Sequence, residues 1–195
     1  MHLILGFAGK ARAGKDTLFQ ILSQELFDIH LRRISIGDYI RNDLNSLPIP
    51  NLYSLSSEEK EIWRPLMVAY GVSQRNTTKG RYFIEIAEAN INSTKHLCNI
   101  HCITDIRFDE YEKDEVYWLK NEMKGKLIYI DRYTTDLQGN ESSIPFINDV
   151  EKTQDPKLRE KADYILKWPT TNDRQLLLEH VQPLITKIRQ DWMSL

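Results

Sequence analysis

An α/β architecture with a mainly parallel sheet is predicted by three features of this 195-residue chain. Short apolar runs of strand length alternate with longer stretches that carry a helical apolar period. The first of these runs leads straight into a glycine-rich turn and then a helix. No internal repeat interrupts the alternation. Strands separated by helices pair in parallel, and right-handed crossovers carry the helices to both faces. Ligands of such sheets sit at the carboxyl ends of the strands, so the chemistry is sought there.

Residues 3–7 read as a first, buried strand. Residues 17–27 place Leu18, Ile21, Leu22 and Leu26 at helical spacing. Residues 30–36 are the second strand, and a helix over 38–47 is closed by Pro48 and Pro50. Ser56 is an N-cap with Glu59 three residues on. The helix it starts is expected to run to Tyr70 and stop at Gly71, with a kink or break at Pro65. Residues 72–81 are polar and read as a loop, and 82–92 return to helix. Residues 97–104 form the third strand. An amphipathic helix over 110–123 is stopped by Gly125. Its acidic lead, Asp109 to Glu115, reads as an exposed first turn where carboxylates favour the helix dipole. Residues 126–131 are the fourth strand. Residues 132–157, with Gly139, Pro145 and Pro156, read as a long polar loop, either a lid or disordered. Residues 162–168 are the fifth strand, and 172–192 a last helix with Pro183 inside it.

The length predicts one domain over 1–195, with helices inserted over about 37–95 and the polar loop over about 132–160. Such a chain buries about 70% of its unfolded surface and needs no staples. Lys and Arg number 26 and Asp and Glu 28, a formal net charge of −2. That balance speaks against a polymeric nucleic-acid binder gripping phosphates. Four Trp and nine Tyr are scattered and read as core and surface, not as a stacking platform. There is no run of 18 apolar residues, so no membrane span is expected. The apolar start, residues 1–7, is too short for a signal peptide and lacks a basic lead. Cys98 and Cys102, four apart on the predicted third strand, fall on one face and offer no second zinc-ligand pair. They read as buried thiols of a reducing, cytoplasmic compartment.

The first strand runs into Gly9-Lys10-Ala11-Arg12-Ala13-Gly14-Lys15-Asp16-Thr17. This is G-x-x-x-x-G-K in the strand–loop–helix setting that a phosphate-binding loop requires. The glycines let the backbone turn so that several N–H groups point inward at phosphate oxygens. The following helix adds its positive N-terminal end, and Lys15 reaches the β- and γ-phosphates. The Ser or Thr that commonly ligates magnesium after the lysine is Asp16 here, with Thr17 next. Mg²⁺ takes oxygen ligands and keeps several waters, so either residue suits it. No rival catalytic arrangement of Ser, His, Cys or metal ligands is found.

The loop G-K-x-x-x-G-K-D-T resembles that of the viral deoxynucleoside monophosphate kinases and of the animal phosphomevalonate kinases. The resemblance implies a P-loop kinase fold, ATP as donor, Mg²⁺ as cofactor, and acceptor-binding and lid segments. Ile34-Ser35-Ile36-Gly37-Asp38-Tyr39-Ile40-Arg41 is similar to an adenylate-kinase segment whose arginine binds the acceptor phosphate. Arg41 inherits that role, with Asp38 beside it, and Ile36 stands where a base-contacting threonine would be. Arg64-Pro65-Leu66-Met67 to Gly71 is similar to a segment that frames the acceptor site, followed by Arg75, Lys79 and Arg81. Arg75 and Arg81 are implied to close over the transferring group. Asp105-Ile106-Arg107 is similar to the D-x-R strand end, with Asp105 for a magnesium water or the acceptor and Arg107 forked on a phosphate. Arg132 falls where the family places a residue near the base, and Ala162 to Leu166 resembles its last strand.

The implied activity is phosphoryl transfer from ATP to a (deoxy)nucleoside monophosphate. Phosphomevalonate kinase and a regulatory nucleotide-binding protein are the alternatives. The implied setting is viral, in the host cytoplasm, with small nucleotides as partners and a homodimer left open.

Overall fold

The computed structural model describes residues 2–195, with only the backbone of Ser57; Met1, in the apolar start, lies outside the described residues. The strands are β1 (Leu3–Ala8), β2 (Leu31–Ile34), β3 (Ile100–Ile103), β4 (Lys126–Thr135), β5 (Glu141–Ser143) and β6 (Tyr164–Pro169). The helices are α1 (Lys15–Glu25), α2 (Ile36–Leu44), α3 (Ser57–Thr78), α4 (Arg81–Thr94), α5 (Glu115–Tyr117), α6 (Asp149–Lys161) and α7 (Arg174–Met193). Five strands are parallel in the order β2-β3-β1-β4-β6. This is the predicted α/β fold.

Alternation along β1 builds the two layers. Leu3, Leu5 and Phe7 face α1 and α7, where they meet Leu18, Ile21, Leu22, Val181 and Ile188. Ile4 and Ala8 face the other way, against Ile84, Ala87 and Ile91 of α4, Trp118, and Leu158 of α6. A third cluster gathers Leu44, Leu52 and Leu55 with Trp63, Met67 and Tyr70. It holds α2 and α3 together beside the sheet.

Four expectations are corrected. First, α3 does not break at Pro65 or stop at Gly71; it runs unbroken to Thr78 and takes in most of the predicted 72–81 loop. The capping box on Ser56 and Glu59 starts it, and burial of Trp63, Met67 and Tyr70 carries it onward. Gly71 is interior because α2 lies close: a Cβ there would sit 3.1 Å from Ile40 Cδ1. Second, the 110–123 helix shrinks to α5 followed by a π-helical turn, Trp118–Glu122. Its acidic lead is solvated only in part: Glu110 and Glu112 are exposed, but Asp114 and Glu115 are buried. Third, the 132–157 loop is structured. β4 continues to Thr135, β5 folds back antiparallel on it, and α6 follows from an N-cap at Asn148. The sheet therefore gains a sixth strand. Fourth, Cys98 precedes β3 and is not on the strand, although both thiols are free and buried as expected. No described helix is long and apolar enough to cross a membrane.

Candidate active site

The loop between β1 and α1 is a backbone cradle. Gly9, Arg12 and Gly14 take φ values of 133°, 63° and 97°, positive-φ backbone of the kind that forms anion-binding concavities. Gly14 is required on two counts. Its φ is left-handed, and a Cβ would meet Trp168 at 2.5 Å, the ring whose Nε1–H donates to the Ala13 carbonyl at 2.9 Å. Ala13 is fully buried, so this segment is anchored from below.

Lys15 lies across the cradle, its Nζ donating to the Gly9 and Lys10 carbonyls at 2.7 and 2.9 Å. Burial, and then the Arg107 charge, lower its pKa from the usual lysine value to about 8. Lys10 points to the β5 segment, donating to Ser143 Oγ at 2.9 Å and the Ile144 carbonyl at 2.7 Å, with the Phe146 ring 4.2 Å away. The Ala11 N–H is already engaged: it donates to Glu151 Oε1 of α6 at 2.9 Å. Asp155, one turn further along α6, is 5% exposed and accepts from the Tyr129 hydroxyl. Burial raises its pKa.

Two hollows flank the cradle. One, of about 360 Å³, is lined by Gly14, Thr17, Arg132, Trp168, Thr171 and Leu177. Arg132 is held over its mouth by the Arg12 carbonyl at 2.8 Å and Thr170 Oγ1 at 3.1 Å. The other, of about 330 Å³, begins at Gly9 and carries Arg41, Arg64, Arg75, Arg107 and Asp105. Apolar side chains of α2 and α3, among them Ile36, Ile40, Met67 and Val72, form much of its wall.

The structure thus brings Arg41, Arg64, Arg75, Asp105 and Arg107 together in the cleft that begins at Gly9 and sets Thr17 with Arg132 in the other hollow. Arg81 does not join them. It starts α4 and binds Glu122 Oε2 at 3.0 Å, with the Lys113 carbonyl at 3.3 Å, because the continuous α3 and its Gly80 turn carry it away. Arg75 faces the cleft but is 5% exposed. It is forked on Asp114 at 2.7 and 3.0 Å, reaches Glu115 at 3.1 Å, and stacks its guanidinium 3.5 Å from the Phe108 ring centre. Asp105 is committed too: its carboxylate accepts from Ser35 Oγ at 2.9 Å and from the Ile36 and Gly37 N–H groups at 2.8 Å. It caps the start of α2 and so positions the helix that bears Arg41. Asp16 is 70% exposed at its side chain and pairs with Arg33 at 3.0 Å, which in turn pairs with Asp38 at 2.8 Å. Asp38 also holds Arg41 at 2.5 Å. Arg64 is exposed and forked on Glu61.

Sequence reading missed Phe108, Glu115, Glu151, Gln154 and Asp155, all but one of them polar and all at the cleft. Glu115 accepts from the Arg107 and Phe108 N–H groups at 2.6 and 3.1 Å and thereby shapes the strand end. Its burial pushes its pKa up to about 7, against the pull of Arg75. Asn148 with Glu151 three residues on is a helix-start signal that the sequence did carry.

Comparison with family models finds no match, and comparison with curated proteins finds none. Among solved structures, a shikimate kinase from Bacteroides thetaiotaomicron superposes with a TM-score of 0.52 at 15% identity, covering 96% of this chain and 98% of that one. A dephospho-CoA kinase from Campylobacter jejuni gives 0.49 at 17% identity over 98% and 99%. The fold is that of the P-loop kinases. Numbered alone, the five parallel strands have the order 2-3-1-4-5.

Proposed function

We propose that this protein transfers the γ-phosphoryl group of ATP to the phosphate of a (deoxy)nucleoside monophosphate, giving the diphosphate. One observation carries the reading: a cleft bearing four arginines opens directly onto the phosphate loop at Gly9. Two phosphate groups can therefore be held end to end. The donor phosphates take the loop N–H groups and Lys15, and the hollow by Thr17 and Arg132 takes the rest of the donor. The acceptor phosphate takes Arg41 and Arg107, whose forked guanidinium groups match phosphate oxygens. The acceptor's apolar and aromatic surface takes the α2–α3 wall and Phe108.

The acceptor phosphate is already a nucleophile, so no strong base is needed. Positioning and charge neutralisation carry the rate. The residues at the start of α1 fit a magnesium ion: Thr17 lines the hollow beside Gly14, and the exposed Asp16 carboxylate next to Lys15 would join it by leaving Arg33. Bound there, the ion would neutralise charge between the β- and γ-phosphates. Asp105 fits that task less well, because its oxygens hold the start of α2.

The test is ATP consumption with Mg²⁺ against deoxynucleoside and ribonucleoside monophosphates and phosphomevalonate, with Lys15→Ala as control. Turnover with one or more nucleotides supports the proposal and names the base. Turnover with phosphomevalonate alone moves the acceptor to that compound, which the apolar wall would also suit. Nucleotide binding without acceptor-dependent turnover leaves a regulatory protein.

A further inference from the structure

At the opposite edge of the sheet, where the strands begin, lies a cluster that phosphate chemistry does not use. Parallel pairing sets Ile4 of β1 beside His101 of β3. Alternation then puts His2, two residues before Ile4, on the same face as His101. That face carries α4, which ends at Thr94, and the chain returns through Cys98 to enter β3. Three donor atoms meet there. His2 Nε2 is 2.6 Å from His101 Nδ1, and Cys98 Sγ is 3.4 Å from the same atom. The donor atoms of the three residues all lie within 4.8 Å of one another. His101 is fully buried, Cys98 is 9% exposed, and His2 is half-buried.

The neighbouring threonine fixes how His101 presents itself. Thr94 Oγ1 is 2.6 Å from the Asn90 carbonyl and 2.9 Å from His101 Nε2. A carbonyl only accepts, so the hydroxyl proton goes to Asn90 and the hydroxyl oxygen accepts from His101. His101 therefore carries its proton on Nε2 and turns the Nδ1 lone pair towards His2, with Cys98 Sγ close by, 3.4 Å from Nδ1 and 3.5 Å from Nε2. Ligating histidines are held in this way, with the second ring N–H tied to an oxygen. The His2 Nε2–H fills that lone pair in the metal-free protein. Moving this proton to its own Nδ1 frees a second lone pair.

We propose that His2, Cys98 and His101 bind a borderline-soft divalent cation of the zinc type. Two imidazole nitrogens and one sulfur suit such an ion, with a water in the fourth position on the open side by His2. On binding, the Cys98 S–H bond breaks, its proton leaves to solvent, and a metal–thiolate bond forms with no change of oxidation state. The carbonyl end of the 14-residue α4 is directed at the site, with Cys98 Sγ 3.9 Å from the Thr94 carbonyl, and adds negative potential. Arg32, beside His101 in the sheet, and Lys95 oppose the cation, but both are exposed and screened by water. The ion would tie the start of β1 to β3 and α4, a structural and not a catalytic part. The spacing of Cys98 and Cys102 hides such a site, because its histidines come from distant segments.

The experiment is a cobalt(II) titration of the full chain, freed of metal by a chelator, without nucleotide. One equivalent should give thiolate-to-cobalt charge-transfer absorption in the near ultraviolet and four-coordinate visible bands, both erased by zinc. Cys98→Ser should lose the charge-transfer band and keep kinase turnover. Thr94→Val should weaken cobalt binding by about 10- to 100-fold. A wild-type measurement covers the case of a misfolded variant. Cys102 is fully buried, so thiol-reagent labelling reports Cys98, and zinc should slow it. A wild type without the charge-transfer band, a band unchanged in Cys98→Ser, or labelling indifferent to zinc overturns the proposal.

Discussion

The phosphate loop and the arginine cleft share the residue Gly9, yet they are built on different principles. The loop is nine consecutive residues whose backbone, with Lys15, forms the cradle. The cleft takes its charges from α2, α3 and the end of β3, and three of its four arginines already hold carboxylates. Among the described residues, Arg107 alone of the four has no carboxylate within ion-pair distance. A backbone cradle needs only one donor freed, the Ala11 N–H that Glu151 holds. A cleft of paired arginines must exchange an internal carboxylate for the acceptor, and how deeply each pair is buried decides whether it can.

The sharpest contrast is between Lys15 and Arg75. Lys15→Ala removes the ammonium that lies across the cradle, and on the proposed reading turnover should fall by about 10³-fold or more. Arg75→Met should instead show as stability. Asp114 and Glu115 would stay buried without their partner, at a cost of about 3–5 kcal/mol. Thermal unfolding with the acceptor absent reads this directly. An Arg75→Met protein that melts like the parent but has lost turnover would return Arg75 to the transferring phosphate and break the comparison.

Arg107 and Arg81 test a position inside the cleft and one outside it. Arg107→Ala should raise the acceptor KM by about 10- to 100-fold, the value of a charged hydrogen bond, with the ATP KM nearly unchanged. Arg81→Ala should leave turnover within about twofold, because Arg81 lies on the Glu122 side, outside the cleft. A large turnover loss in Arg81→Ala would mean that α3 and α4 rearrange when the acceptor binds.

The titration of Lys15 gives a further reading of the loop. Its pKa is lowered to about 8, so the free protein holds the ammonium below pH 8 and loses it above. Nucleotide affinity should be level below pH 8 and fall by about tenfold per pH unit above it. Lys15→Arg keeps its charge and should show no break there. A break shared by both proteins would place the titration elsewhere.

How much of this was legible follows the same division. The cradle could be read because Gly9, Gly14 and Lys15 are close in sequence and their spacing is set by local backbone geometry. The layers could be read because β1 is a continuous apolar run, as a strand covered on both faces must be, and apolar side chains recur at helical spacing along α1. The region 132–161 could not. α6 has only Val150 and Leu158 as large apolar residues, so no stripe marks it, and β5 is three exposed polar residues. The lead from Asp109 to Glu115 looked solvated because charge normally is. Only the fold shows that Arg75, far off in sequence, buries two of its carboxylates. Gly71 and Pro65 were read as breaks by local rules that tertiary packing of α3 overrides.

Glu151 is the place where the two constructions meet. It comes from the segment the sequence could not resolve, and its carboxylate accepts from the Ala11 N–H of the loop and from the Ile147 N–H of its own segment. An incoming phosphate oxygen needs the Ala11 donor, so the carboxylate must move before the donor nucleotide is fully seated. Its charge opposes that of the nucleotide as well. Glu151→Gln keeps the shape and removes the charge, and should tighten ATP binding by about threefold to tenfold, one hydrogen bond's worth. Calorimetry with a non-hydrolysable ATP analogue measures it. Weaker binding in Glu151→Gln would instead make the carboxylate a partner of the bound nucleotide, through its metal or through water, and the loop would then be no more complete on its own than the cleft.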